Sequence, residues 1–134
     1  LIGFSFFTRD NFFIFVKNRL MIDRKKFQEN FQYFDKDVVI EIIDIFESEY
    51  QERFTNLEKN VNELDFIQLK FNAHSLKGVV ANFMDPVTIE LSRKLDEVAK
   101  NKENNGLLEL FTLLKTSCDS LLTELREIRK DLIS

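Results

Sequence analysis

The sequence predicts an all-α protein, an antiparallel up-down four-helix bundle with an additional N-terminal helical segment. Three observations carry this. Glycine occurs three times, proline once and tryptophan never among 134 residues, of which 31% are charged, leaving too few turn residues for a many-stranded sheet. Apolar residues recur at steps of three and four along most of the chain, the spacing of a buried helical seam. No strand alternation of useful length and no internal repeat interrupts that pattern. The length suits one domain around a single core.

Residues 1–20, LIGFSFFTRDNFFIFVKNRL, differ in style from the rest, with six of the fifteen phenylalanines and one acidic residue. A transmembrane helix needs about 20 mostly apolar residues, and Arg9, Asp10, Lys17 and Arg19 break the tract too early. A secretory signal would begin with a positive region and end in small residues, and neither is present. The third reading makes 1–22 an accessory segment whose aromatics pack on the bundle or on a second copy. Met21 begins ordinary bundle sequence, so an origin of 1–20 upstream of a natural start stays open.

Residues 23–134 are expected to form the bundle. DRKKFQENFQY, from about Asp23 to Tyr33, reads as a short helix capped by Asp23. Phe27, Phe31 and Phe34 would cover one bundle end. Asp35 or Asp37 starts a long helix to about Asn60, with a seam of Val39, Ile43, Phe46, Tyr50, Phe54, Leu57 and Val61. Glu41, Asp44, Glu47, Glu49 and Glu52 form a solvated acidic face. Asn62 to Asp65 makes a turn, and Asp65 caps a helix from Phe66 to Phe83–Met84. Asp85-Pro86 then restarts the chain with an N-cap and a proline at the first helical position. That helix, to about Lys100, would bury Val87, Leu91, Leu95 and Val98. NKENNG at 101–106 is the clearest loop. The last helix, from about Leu107 to Leu132, has the seam Leu107, Phe111, Leu114, Cys118, Leu121, Leu125, Ile128 and Leu132. Cys118 lies in that seam and reads as a buried structural thiol.

The stretch Phe66 to Phe83, FIQLKFNAHSLKGVVANF, holds the only histidine and has two faces. Leu69, Ala73, Leu76, Val80 and Phe83 form its seam. At about 100° per residue, His74 lies roughly 140° from the middle of that seam and should face water. Lys70, Lys77, Gly78 and Ala81 share its side, flanked by Ile67 and Phe71. A lone imidazole on a rigid helix, with a lysine one turn on and a glycine beside it, is a candidate site.

HSLKG at 74–78, preceded by Ala73, resembles the signature of histidine-containing phosphotransfer (HPt) domains. The resemblance covers residues of roughly 25 to 133, a short leading helix and four longer ones in the expected order. It implies that His74 accepts a phosphoryl group from a receiver-domain aspartate and passes it to another. It implies too that Lys77 stabilises the phosphoryl charge, a role open to a flexible ammonium one turn away. Gly78 would leave steric access beside the ring, since a mid-helix glycine costs about 1 kcal/mol against alanine and suggests a need for space. Lys70 could add positive potential or be merely solvated. The family often has glutamate or glutamine twenty-two residues after the histidine, following a leucine, where this chain has Leu95-Asp96. Asp96 could orient the imidazole or hold Lys77, although a carboxylate near a phosphoryl group would repel it. Ile67, Phe71 and Ala81 could form an apolar patch for receiver docking, or Phe71 could lie under a neighbouring helix.

Two departures from the family stand out. Met84 occupies a position, ten after the histidine, where many members have glycine, and Val79 and Val80 replace small residues. Both could alter how the helix ends and how closely the bundle packs.

The expected partners are response-regulator receiver domains, a hybrid sensor histidine kinase, or both. No cofactor is expected on this chain, with Mg²⁺ on the partner receiver domain. A net charge of −4 without a basic stripe argues against nucleic acid. One cysteine and one histidine exclude a disulfide framework and a multi-histidine metal site within one chain. Glycines at Gly3, Gly78 and Gly106 only leave no phosphate-binding loop, so the chain is expected to be a phosphocarrier and not an ATP-dependent enzyme. A cytoplasmic, monomeric protein away from membranes is expected. The rival readings are a bundle that docks receivers without transfer and a structural oligomerisation bundle.

Overall fold

The computed structural model describes residues 22–134, and the accessory segment expected over 1–22 lies outside the described residues except for Ile22. Five α-helices follow one another: α1 Arg24–Phe31, α2 Lys36–Glu63, α3 Phe66–Val80, α4 Pro86–Lys100 and α5 Leu107–Ile133, with a 3₁₀ turn Ala81–Phe83 after α3. No strand occurs among the described residues. The all-α bundle expected from the seams is the observed architecture.

The four long helices pack as neighbours in chain order, and α2 closes the ring against α5. Phe46 meets Phe83, Arg53 meets Ser75 and Asn60 meets Asn72, so α2 and α3 run antiparallel. Asp44 meets Arg129 and Phe54 meets Phe111, which sets α5 antiparallel to α2 as well. The seams form most of the core: every seam residue of α2 and α3 is buried, Phe83 included, and Leu110, Leu113 and Leu122 of α5 join them. On α5, Leu132 alone of the expected seam is only half-buried, one residue from the end of the helix.

Helix boundaries follow local chemistry. Asp23 accepts from Lys26 N, Asp65 from Gln68 N, and Asp85 from Val87 N and Thr88 N, each satisfying amides at a helix start. Asp35 occupies the N-cap of α2 without a side-chain cap bond. That helix runs to Glu63, a turn longer than the seam alone suggests, and Leu64 closes it in the left-handed region. Phe27 and Phe31 cover one end of the bundle as expected. Phe34 does not: it is 51% exposed, touching Phe31 edge-on. The chain has already turned away after α1 there, so its ring lies at the rim.

The largest difference lies in α4. Val87 is only half-buried, whereas Thr88, Ser92, Lys94 and Asp96 are buried beside Leu91, Leu95 and Val98. The helix sits between α3 and α5, so polar positions flanking its seam are covered from both sides. Asp85, Thr88 and Ser117 form one buried polar string, in which Thr88 Oγ1 donates to Asp85 Oδ2 and shares a hydrogen bond with Ser117 Oγ. Glu124, also buried, accepts from Ile22 N at 2.9 Å and from Arg24 Nε at 2.8 Å, tying the entry of α1 to α5.

The end of α3 shows the effect of the family departure at Met84. The helix tightens into a 3₁₀ turn, and Met84 then takes φ 59°, the left-handed region. Glycine reaches that region freely, whereas another L-residue pays roughly 1 kcal/mol or more. Met84 is held there from two directions. Its carbonyl accepts from Asp23 N at 2.8 Å, and its side chain packs on the core.

Candidate functional site

α3 is held on both flanks. On the α2 side, Arg53 donates to Ser75 Oγ at 2.9 Å and Asn72 donates to Asn60 Oδ1 at 2.7 Å. On the other side it meets α4 through Lys77 and Asp96. The seam fixes the rotation of the helix, and His74 consequently points outward with its side chain 67% exposed.

Asp96 is the centre of the local electrostatics. Its side chain is only 3% exposed, yet Oδ2 faces three basic groups. Lys77 Nζ donates to Oδ2 at 2.7 Å, His74 Nδ1 approaches it at 3.5 Å, and Lys100 Nζ stands at 3.8 Å. Burial pushes the Asp96 carboxyl up, but the Lys77 hydrogen bond, the His74 contact and the charges of Lys77 and Lys100 outweigh it and hold it below the usual carboxylate range. The carboxyl is thus ionised near neutral pH. Asp96 Oδ1 is buried without a hydrogen-bond partner. At 3.5 Å the His74 contact is longer than a strong hydrogen bond, so Asp96 acts on the ring chiefly through its charge.

The expected site residues separate into three groups. His74, Lys77 and Asp96 come together in one cluster spanning two helices. Lys70 does not join it: it is exposed, and among the described residues no ion pair ties it to the cluster. Gly78, Ile67, Phe71 and Ala81 are exposed on the histidine side of the helix. Ile67 and Phe71 are each 67% exposed, so Phe71 is not covered by a neighbouring helix. A Cβ placed at Gly78 would meet no atom within 4 Å, so nothing in its own fold demands glycine there.

Lys100 is the residue that sequence reasoning missed. Its signal was present in the spacing, because a lysine four residues after an aspartate on one helix stands beside it. The value of that spacing depended on Asp96 being buried, which the α4 seam alone does not reveal.

The cluster offers an exposed imidazole, an ammonium one turn away and a buried anion behind the ring. Among the described residues, no group of three His, Cys, Asp or Glu side chains could hold a metal ion. No helix among them is long and apolar enough to cross a membrane. Comparison with curated proteins and with solved structures gave no significant match. The family model for the Hpt domain matches residues 41–129, from within α2 to within α5 and across both His74 and Asp96. With well over half of its length matched, the chain belongs to the Hpt domain family, helical bundles with a phosphotransfer role in phosphorelays.

Proposed function

We propose that the chain is a phosphorelay intermediate in which His74 accepts a phosphoryl group from a receiver-domain aspartyl phosphate and passes it to another receiver aspartate. One observation carries this: the sole histidine projects from a rigid helix with Nδ1 turned to a buried, ionised Asp96. A carboxylate at Nδ1 favours the proton on that nitrogen, which leaves the Nε2 lone pair outward as the nucleophile. Nε2 forms a bond to phosphorus as the bond from phosphorus to the aspartyl oxygen breaks. The aspartate leaves as a carboxylate with the electron pair, and the Nδ1 proton stays on the ring. The phosphorylated ring is then formally an imidazolium, and Asp96 faces its positive edge.

Phosphoryl transfer is governed by positioning and charge compensation. Lys77, one turn from His74, is the group in reach of the incoming oxygens, with Lys70 a more distant source of positive potential. The expected repulsion from Asp96 is muted because its charge is met by Lys77 and Lys100 and lies on the Nδ1 side of the ring. Ile67, Phe71 and Ala81, with the side-chain-free surface at Gly78, suit a docking face for a receiver domain, which would bring Mg²⁺ with it. The chain then acts as a phosphocarrier, with the partner supplying the catalytic machinery.

The test is incubation with phosphorylated receiver domains, following acid-labile, base-stable phosphate on the chain. Label on the wild type that is lost in His74→Gln is the expected result. Binding without label would turn the reading to a docking module, and neither binding nor label would leave a structural bundle.

A further inference from the structure

The geometry of the cluster raises a difficulty for Lys77. Its ammonium is already bonded to Asp96 Oδ2 at 2.7 Å. That oxygen lies on the Nδ1 side of His74, whereas the phosphoryl group would arrive at Nε2, across the ring. To meet the phosphoryl oxygens Lys77 has to leave Asp96. That would leave a carboxylate only 3% exposed with nothing nearer than the 3.5 Å contact to the ring, and a buried charge without a close hydrogen-bonded partner is disfavoured.

Lys100 supplies what is needed. It lies four residues after Asp96 on α4, its Nζ already 3.8 Å from Oδ2 and its side chain 52% exposed, so it is close without being bonded. Asp96 also has spare acceptor capacity, since Oδ1 has no partner. We propose that Lys77 and Lys100 exchange places on Asp96 when His74 is phosphorylated: Lys77 moves to the phosphoryl oxygens, and Lys100 closes onto the carboxylate it vacates. No covalent bond changes in this exchange, and the net charge of the three side chains is conserved. Lys100 is in this account a positioning residue, acting on the phosphorylated state by releasing Lys77. The proposal rests on His74 as the phosphoacceptor.

The exchange predicts how the transfer equilibrium responds to substitution. The phosphoryl group is distributed between a receiver domain and the full chain, and the equilibrium ratio is read from label on each. Lys100→Gln should lower the phosphorylated fraction of the chain, with the transfer constant falling about fivefold. Lys100→Arg should restore most of it. The decisive comparison is with Asp96→Asn, where no buried anion needs a replacement cation: adding Lys100→Gln to it should change the constant little. A lysine contributing only general positive potential would instead produce the same loss in both backgrounds, which overturns the proposal. An unchanged constant in Lys100→Gln alone overturns it too. Failure of the underlying reading shows separately, as label that persists in His74→Gln or never reaches the wild type.

Discussion

The Lys77 ammonium and the Asp96 carboxylate bridge α3 and α4 at 2.7 Å, directly behind the imidazole of His74. This ion pair joins the fold to the chemistry. It fixes the helix carrying the histidine against its neighbour, and it sets the charge facing Nδ1. Asp96 is buried and Lys77 is about two-thirds covered, so the pair is screened less than an exposed one.

Asp96→Asn should therefore destabilise the bundle by about 1–2 kcal/mol at neutral pH, because Lys77 loses an ionised partner. The folded-state pKa of Asp96 is depressed. Its contribution is accordingly present above the unfolded value of about 3.9 and lost as pH falls through the lower folded value. Urea unfolding of both proteins at pH 7 and near pH 2 should show the difference shrinking with acid. A gap that stays constant with pH would mean the loss is packing and not charge.

Asp85 should behave in the opposite sense. Burial raises its carboxyl above the ordinary value of 3.8, against the opposing hydrogen bonds from Thr88 and Val87. A raised folded pKa gives a contribution present below the unfolded value and lost as pH rises through the folded one. Asp85→Asn keeps an N-cap oxygen for α4 and removes the ionisation. Its stability relative to wild type should thus increase from pH 3 to pH 7, whereas Asp85→Ala should lie about 2 kcal/mol below Asp85→Asn throughout. Parallel pH profiles for wild type and Asp85→Asn would contradict the assignment.

Much of this was legible in the sequence, and most of the misses trace to α4. The seams of α2 and α3 are regular because these helices bury little besides a single stripe, and periodicity reads a single stripe well. His74 and Lys77 were visible for the same reason, being opposite a seam that is unambiguous. α4 buries a wider face than its apolar stripe, so Thr88, Ser92, Lys94 and Asp96 are covered although none looks apolar. The depth of Asp96, and with it the relevance of Lys100, depends on packing between α3 and α4 that no single-helix pattern encodes. Phe34 misled in the other direction: its spacing continues that of Phe27 and Phe31, but α1 has ended by then.

Cys118 should report global unfolding. It is wholly buried, and burial, with Asp85 and Asp119 nearby, pushes its thiol well above the ordinary value of 9.0. The thiolate is the reactive species, so the native chain should resist thiol reagents. Under conditions where reclosing outpaces labelling, the rate at increasing urea should track the unfolding free energy. Rapid labelling in buffer, with no urea dependence, would reveal a local opening of α5 instead.

Gly78 separates the needs of folding from those of function. It occupies the exposed face of α3, and a Cβ there has no neighbour within 4 Å. Gly78→Ala should consequently stabilise the chain by about 1 kcal/mol through helix propensity. Gly78→Leu should fold as well as wild type, but its side chain would stand beside His74, on the face proposed for receiver docking. Phosphoryl transfer to Gly78→Leu should slow by about tenfold or more, since filling the centre of a docking face costs more than trimming its rim. Phe71→Ala makes the complementary comparison. At 67% exposure its removal should change stability by no more than about 0.5 kcal/mol, yet receiver affinity should fall about tenfold. If both variants transfer and bind like wild type, this face is not where the receiver docks, and the glycine has no role that folding or transfer can explain.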